Sequence, residues 1–186
     1  MTQAPLYRDF FDQAQIDAQY NPVIGLDDPA QYGRHYAEQS RLARERLRCV
    51  LDVPFGPTLA ETLDIFPAEQ PNAPVFVFIH GGYWRALSSK EFSCVALGLQ
   101  ARGITTVVVN YALAPQVSID EITRQARASL AWVLRHIGEH GGDASRVAIG
   151  GLGGVGGSHA ITLARLGVGQ FTISDLDVFD WPNMNR

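Results

Sequence analysis

Residues 74–84 read Pro-Val-Phe-Val-Phe-Ile-His-Gly-Gly-Tyr-Trp, an unbroken apolar run that ends in a pair of glycines. A continuous apolar run, unlike one that alternates with polar residues, is typical of a strand buried on both faces. Similar runs follow at Ile104–Val109 and Val147–Ile149, with stretches of helical spacing between them. This alternation of strand and helix predicts an α/β fold, with a three-layer, doubly wound and mostly parallel sheet.

Two Ser-x-x-Glu sequences predict where the intervening helices begin. Ser88–Glu91 has the pattern of a capping box, and we expect it to open a helix that reaches about Ala101. Ser118–Glu121 is a second such pattern. The helix after it would carry apolar side chains on one face, at Ile122, Ala126, Leu130, Val133 and Ile137.

The chain before the first buried strand is expected to be helical and irregular over residues 5–47. Val50–Val53 and Thr62–Phe66 then indicate a hairpin-like pair of strands. We predict a covering helix over Ala30–Leu47, with an apolar face formed by Tyr32, Tyr36, Leu42 and Leu47.

Three segments follow from these patterns. They are a helical cap at 1–47, half of an α/β core at 48–148, and a glycine-rich βαβ unit at 149–186. We expect all three to pack as one domain, because 186 residues are an ordinary length for a single domain.

Composition excludes several classes of function. The net charge of -4 argues against nucleic acid as a partner, because binding to phosphate needs a basic surface. The two cysteines form no CxxC pattern, which favours reduced thiols. The polar N-terminus is unlike a signal peptide, and no apolar run approaches the ~18 residues of a membrane span. We therefore expect a soluble, cytoplasmic protein without a nucleic-acid or membrane partner.

The sequence His80-Gly-Gly-Tyr-Trp84 is the first candidate site. Two glycines directly after a strand let the backbone turn without Cβ clashes, which exposes amide N–H groups at the end of the sheet. Such groups can hold the oxyanion of an acyl-transfer intermediate, and His-Gly-Gly after a strand is the oxyanion motif of lipases and esterases. The alternative is a glycine-rich turn with packed aromatic residues. Tyr83 and Trp84 can line a substrate pocket or simply pack.

Four segments resemble bacterial kynurenine formamidases and related esterases: DVPFGPTLAETLDIFPA, VFVFIHGGYWRALSSKEFS, VVVNYALAP and IDEITRQARASLAWV. The resemblance covers about residues 5–146, and His80, Gly81, Gly82 and Trp84 match the HGGxW motif of that family. It implies an α/β-hydrolase that cleaves the formamide of N-formylkynurenine, or small aryl esters, with a Ser-Asp-His triad and no metal or other cofactor.

The nucleophile of that family is missing here. Its elbow should read close to Gly-His-Ser-Ala-Gly-Gly, whereas this chain has Gly153 at the serine position, and glycine has no oxygen to attack a carbonyl. No histidine follows His159, although the base of the triad comes last along the chain. Ser158 is a poor substitute, because adjacent residues on a helix do not face each other and a helix cap explains it. The resemblance therefore predicts a catalytically incomplete hydrolase.

The same glycine-rich segment fits a second chemistry. Gly151, Gly153 and Gly156 form G-x-G-x-x-G between a predicted strand and a predicted helix, and Asp175 ends the next predicted strand. This is the context of a nucleotide-binding fingerprint, in which the glycines and a helix N-terminus receive phosphate and the acid binds ribose.

The tail GLGGVGGSHAITLARLGVGQFTISDLDVFDWPNMNR resembles the opening of the ThiF/MoeB/HesA adenylating family, over about residues 149–186. This resemblance implies ATP with Mg²⁺ as the ligand, and it assigns the binding roles to Gly151, Gly153, Gly154, Gly156, Asp175, Asn183 and Arg186. The chain is thus composite, and a natural fusion, a chimera and a truncated gene product all stay open. An incomplete sheet edge near Phe171–Ser174 would favour self-association.

Overall fold

The computed structural model describes residues 4–20 and 27–151. It divides the chain into two compact units, Met1–His35 and Tyr36–Arg186. Helix α1 (Gln13–Tyr20) lies in the first unit, and helix α2 (Ala30–Arg46) begins there. The helix predicted at 158–166 and the strand predicted at 171–174, with its exposed edge, lie outside the described residues. The three predicted segment boundaries stay predictions.

The second unit contains a sheet of five strands, ordered β1-β2-β4-β3-β5. The strands are β1 (Val50–Pro54), β2 (Thr62–Phe66), β3 (Ala73–Ile79), β4 (Thr105–Val109) and β5 (Gly142–Gly150). Helices α3 (Val95–Gln100) and α4 (Ile119–His136) separate the last three strands, and short 3-10 turns occupy Ser89–Glu91 and Ile137–His140. The predicted α/β alternation is confirmed.

Only β2 runs against the other described strands, because it pairs antiparallel with both β1 and β4. β3 pairs parallel with β4 on one side and with β5 on the other. The chain therefore moves outward from β3 to β4 and then crosses back past β3 to β5. Such a reversal of strand order leaves a crevice at the carboxyl ends of the strands, where ligands of open α/β sheets bind.

Both faces of the sheet are covered. On one face α4 packs through the apolar stripe predicted from its sequence, and all five residues are buried: Ile122, Ala126, Leu130, Val133 and Ile137. On the other face a smaller cluster joins Phe66, Ala96 of α3 and Val108, with Leu47 packed against it. This gives the predicted three layers. No helix among the described residues is long and apolar enough to cross a membrane.

The helix expected from Ser88 to about Ala101 is wrong in one respect. The capping box at Ser88 and Glu91 forms, but it opens only the 3-10 turn, and α3 begins at Val95. Side chains of α2 take the turn's carbonyl groups: Ser40 Oγ donates to Glu91 O at 2.7 Å and Arg44 donates to Lys90 O at 2.6 Å. These tertiary contacts hold the turn in the place where a continuous helix was predicted.

Two smaller predictions also need correction. Ser118 caps α4 by accepting from the backbone of Glu121, but the Glu121 side chain bonds to Arg124 and Gln125 instead of completing a box. The predicted apolar face before β1 is only partly buried. Leu42 and Leu47 are partly buried and Tyr32 and Tyr36 are about half exposed, whereas the fully buried residues of α2 are Ser40 and Ala43.

Candidate active site

The loop His80–Trp84 follows β3 at the carboxyl edge, which we define as the edge where β3, β4 and β5 end. The turn after β5 lies directly beside it. A Cβ atom added at Gly151 would stand 2.1 Å from the carbonyl oxygen of Ile79, the last residue of β3. The tertiary structure thus brings the start of the glycine-rich segment against the His-Gly-Gly loop.

The His80 side chain is fully enclosed rather than directed to solvent. Its ring stacks on Tyr111 at 4.3 Å and on Phe92 at 5.8 Å, both nearly parallel. Nδ1 lies 2.7 Å from Gly81 O, and since a carbonyl only accepts, this nitrogen carries the proton. Burial lowers the pKa of His80, so the ring is neutral at pH 7. Nε2 is buried and has no hydrogen-bond partner among the described residues.

The loop backbone has positive φ angles, which residues with a Cβ atom rarely adopt. Gly82 has φ +122°, and Tyr83 and Trp84 have φ of 53° and 60°. A Cβ at Gly82 would lie 2.2 Å from Ala86 O, so glycine is required there. At Gly81, by contrast, no heavy atom of the described residues lies within 4 Å of an added Cβ, apart from its chain neighbours. Strain of this kind concentrates at binding and catalytic sites.

The two aromatic residues of the motif occupy different environments. Trp84 is partly buried and packs against the main core cluster, and its carbonyl accepts from Ala114 N at 2.7 Å. Tyr83 is 53% exposed on the same loop. Trp84 therefore packs against the core, while a role for Tyr83 in lining a pocket stays a prediction.

Two residues directly after β4 belong to this site although the sequence did not predict them. Tyr111 is buried, and its hydroxyl donates to His80 O at 2.6 Å. Burial raises the pKa of Tyr111 to about 12, so this donor keeps its proton at neutral pH. Asn110 accepts from Ser89 N and donates to Ala60 O. Their position directly after a buried parallel strand was the available signal, since parallel strands end at one shared edge.

Two buried carboxylates support the elements around this edge, and neither was predicted. Asp64 accepts from Lys90 Nζ at 2.7 Å, from Ser89 Oγ at 2.9 Å and from Asp52 N at 3.0 Å. Each bond ties β2 to the 3-10 turn after the loop or to β1. A fully buried charge is tolerated only when it is paired and hydrogen-bonded in this way.

Glu61 is the second buried carboxylate. It accepts from Arg124 of α4 at 2.6 Å and from the Thr58 hydroxyl at 2.8 Å. Burial raises the pKa of Glu61, but the bonds from Arg124 and Thr58 outweigh it and hold the pKa below its usual value. The side chain therefore stays ionised and links the loop before β2 to the beginning of α4.

The glycine-rich segment is described only at its beginning. Gly150 ends β5, where a Cβ would lie 2.3 Å from the ring of Phe76, and Gly151 follows with φ +80°. A strand followed by a glycine turn is common to the elbow of a hydrolase and to a nucleotide-binding loop. The other residues proposed for these chemistries lie outside the described residues: Gly153, Gly154, Gly156, Ser158, Asp175, Asn183 and Arg186.

Comparison with known proteins supports both resemblances. A kynurenine formamidase from Danio rerio is 31% identical over 124 residues, which are 63% of this chain and 41% of the relative. One from Drosophila melanogaster is 33% identical, over 56% of this chain and 33% of the relative. The carboxylesterase NlhH of Mycobacterium tuberculosis is 34% identical, over 54% and 31%. The matched part of the chain thus spans between 31% and 41% of the length of these relatives.

Solved structures show the same fold. An esterase from Pyrobaculum calidifontis aligns with a TM-score of 0.59 at 21% identity, covering 74% of this chain and 47% of that one. The esterase LipW of Mycobacterium marinum aligns with a TM-score of 0.53 at 23% identity, covering 67% and 41%. These neighbours confirm an open α/β sheet of the α/β-hydrolase type.

The model of the ThiF family matches residues 133–186. This match begins within α4 and includes β5, two elements that here belong to the same sheet as the His80–Trp84 loop. The sheet is therefore continuous across the position where one resemblance gives way to the other, because both families place a strand and a glycine turn there.

Proposed function

We propose that this chain, an α/β-hydrolase-fold homologue of kynurenine formamidases and esterases, is a catalytically incomplete hydrolase. It keeps the oxyanion loop His80–Trp84, and it lacks the serine nucleophile because glycine stands at position 153. Its ligands would be small carbonyl compounds, either N-formylkynurenine-type formamides or aryl esters. This proposal requires no metal or other cofactor.

The observation that carries the proposal is the placement of the loop. The His-Gly-Gly turn leaves β3 at the carboxyl edge, and Ile79, the residue before it, lies against Gly151 of the turn after β5. In acyl transfer, a nucleophile beyond one strand attacks a carbonyl whose oxygen is held by amides beyond a neighbouring strand. The arrangement at β3 and β5 supports the oxyanion half of this chemistry.

The nucleophilic half depends on position 153. In the related hydrolases a serine hydroxyl attacks the carbonyl carbon, and the carbonyl oxygen takes up negative charge that the amides stabilise. Glycine offers no hydroxyl for this bond. Amides alone can polarise a bound carbonyl, but without a nucleophile the covalent route is closed.

We expect the purified chain to hydrolyse N-formylkynurenine and p-nitrophenyl acetate no faster than buffer does. The measurement is initial rate against enzyme concentration, and its slope should be zero within error. Turnover that Ser158→Ala abolishes, and that the matched change Ser145→Ala leaves intact, would show that Ser158 replaces the missing nucleophile. That result would contradict the proposal.

Nucleotide binding is the second candidate, because the ThiF family model matches residues 133–186. In this proposal the phosphates of Mg²⁺-bound ATP would be bound by Gly151, Gly153, Gly154 and Gly156. The ribose would be bound by Asp175, and Asn183 and Arg186 would lie near the phosphates. The positive φ of Gly151 directly after β5 suits the tight first turn of such a loop.

If this second candidate is correct, the chain binds Mg²⁺-ATP in isothermal titration, and Asp175→Asn weakens binding about tenfold through loss of charged ribose contacts. Asp180→Asn is the matched control, since it removes the same charge outside the fingerprint. A folded chain without measurable ATP binding, or equal weakening by both substitutions, would rule this candidate out.

A further inference from the structure

We infer that Tyr111 and His80 are positioning residues that turn the amide N–H groups of Gly81 and Gly82 away from their own side chains, so that both amides can donate to a ligand. The inference rests on the proposed function, since it assigns those two amides to the carbonyl oxygen of a bound ligand. It adds Tyr111, which comes from a different strand and has no part in the His-Gly-Gly-Tyr-Trp motif.

The first step concerns the peptide between His80 and Gly81. Its carbonyl oxygen accepts from the Tyr111 hydroxyl at 2.6 Å. A trans peptide is planar, and its C=O and N–H groups point in opposite directions. Fixing the His80 oxygen toward Tyr111 therefore fixes the Gly81 N–H away from Tyr111. Since Tyr111 belongs to the main core cluster, this N–H points away from that part of the core.

The second step concerns the next peptide. The Gly81 oxygen accepts from His80 Nδ1 at 2.7 Å, so the N–H of Gly82 points away from the imidazole. The imidazole cannot swing, because it is stacked between Tyr111 and Phe92. Tyr111 thus acts on both peptides, on one through its hydroxyl and on the other through its ring.

The loop after these peptides is closed by its own backbone. The Gly82 oxygen accepts from Arg85 N at 3.0 Å and from Ala86 N at 3.1 Å. Three successive carbonyls, those of His80, Gly81 and Gly82, are therefore held by donors of the protein itself. Among the described residues, no heavy atom apart from the chain neighbours of Gly81 lies within 4 Å of a Cβ added there.

The substitution Tyr111→Phe distinguishes a role of Tyr111 in packing from a role in orienting the loop peptides. Tyr111→Phe keeps the ring that stacks on His80 and removes only the hydroxyl that holds the His80 carbonyl. If the hydroxyl matters only for packing, the loop amides are unaffected by its loss. If it sets the first peptide plane, the Gly81 amide reorients, and any ligand oxygen held by that amide binds more weakly.

The test is ¹⁵N and ¹³C NMR of the full chain, with titration of two probes, formate and formanilide. We expect Tyr111→Phe to shift the His80 carbonyl carbon and the Gly81 amide, and to weaken both probes about fivefold, the equivalent of one hydrogen bond. Tyr32→Phe controls for loss of a phenol at an exposed site. Ile137→Val controls for general loss of core packing, at the opposite end of the sheet. Neither control should move the Gly81 amide.

Each outcome decides the inference. Unchanged His80 and Gly81 resonances in Tyr111→Phe overturn it, and so does a shift of equal size in Ile137→Val. Shifted resonances with unchanged probe affinity overturn it as well. If the unsubstituted chain binds neither probe, the proposed function fails. The Gly81 resonance alone then decides whether Tyr111 sets this peptide plane.

Discussion

Replacing Gly151 by alanine is expected to lower the free energy of unfolding by about 4 kcal/mol. Two costs add at this position. The backbone has φ +80°, which is unfavourable for a residue with a Cβ, and the new Cβ would lie 2.1 Å from Ile79 O. The clashing atom belongs to the backbone of β3, so the two strands must separate before the methyl group fits. Urea unfolding followed by tryptophan fluorescence measures the change.

Gly103→Ala is the matched control. Gly103 has nearly the same backbone, with φ +73°, but apart from its chain neighbours no heavy atom of residues 4–20 and 27–151 lies within 4 Å of its added Cβ. It should cost about 1 kcal/mol, from the backbone conformation alone. The difference between the two variants reports the close approach of the turns after β3 and β5. Equal losses at Gly103 and Gly151 would show that these turns do not meet as described.

Asp64→Asn is expected to cost about 2 kcal/mol, because it removes the charge of a buried carboxylate while its hydrogen-bond donors stay in place. Asp64 has no exposed side-chain surface and accepts from Lys90, Ser89 and Asp52 N. An amide has one acceptor oxygen, so at least one of these donors is left unpaired. The loss should appear as a lower urea midpoint with an unchanged slope, which indicates lower stability without a change in the exposed area.

Asp52→Asn is the comparison for that result. Asp52 pairs with the same Lys90 Nζ at 2.8 Å, but its side chain is 62% exposed. An exposed ion pair contributes at most about 1 kcal/mol, since water and salt screen it. Asparagine also tolerates the left-handed backbone of this residue, whose φ is 56°. If the two substitutions were equally costly, the assignment of Asp64 as a buried anchor would be wrong.

Local sequence patterns predicted a large part of the fold. The apolar run at 74–79 is the buried strand β3, and the stripe from Ile122 to Ile137 is buried as expected. Both patterns depend on neighbours within a few residues along the chain, which periodicity records directly. The prediction of a continuous helix from Ser88 was wrong because the contacts that decide this segment are not local. Ser40 and Arg44, about fifty residues earlier, take the carbonyl groups of the turn, and no local pattern contains that information.

The candidate site also has features that the local sequence predicts and features that depend on distant contacts. The sequence by itself determined the strand, the pair of glycines after it and the glycine at position 153, because each is a property of residue type and order. Only the tertiary structure decided that Tyr111 holds the His80 carbonyl, that Gly151 meets Ile79, and that Asp64 receives Lys90. These partners are far apart along the chain and become neighbours through the strand order β2-β4-β3-β5. Strand order is set by the packing of both faces together, and a contact that depends on it cannot be deduced from either segment alone.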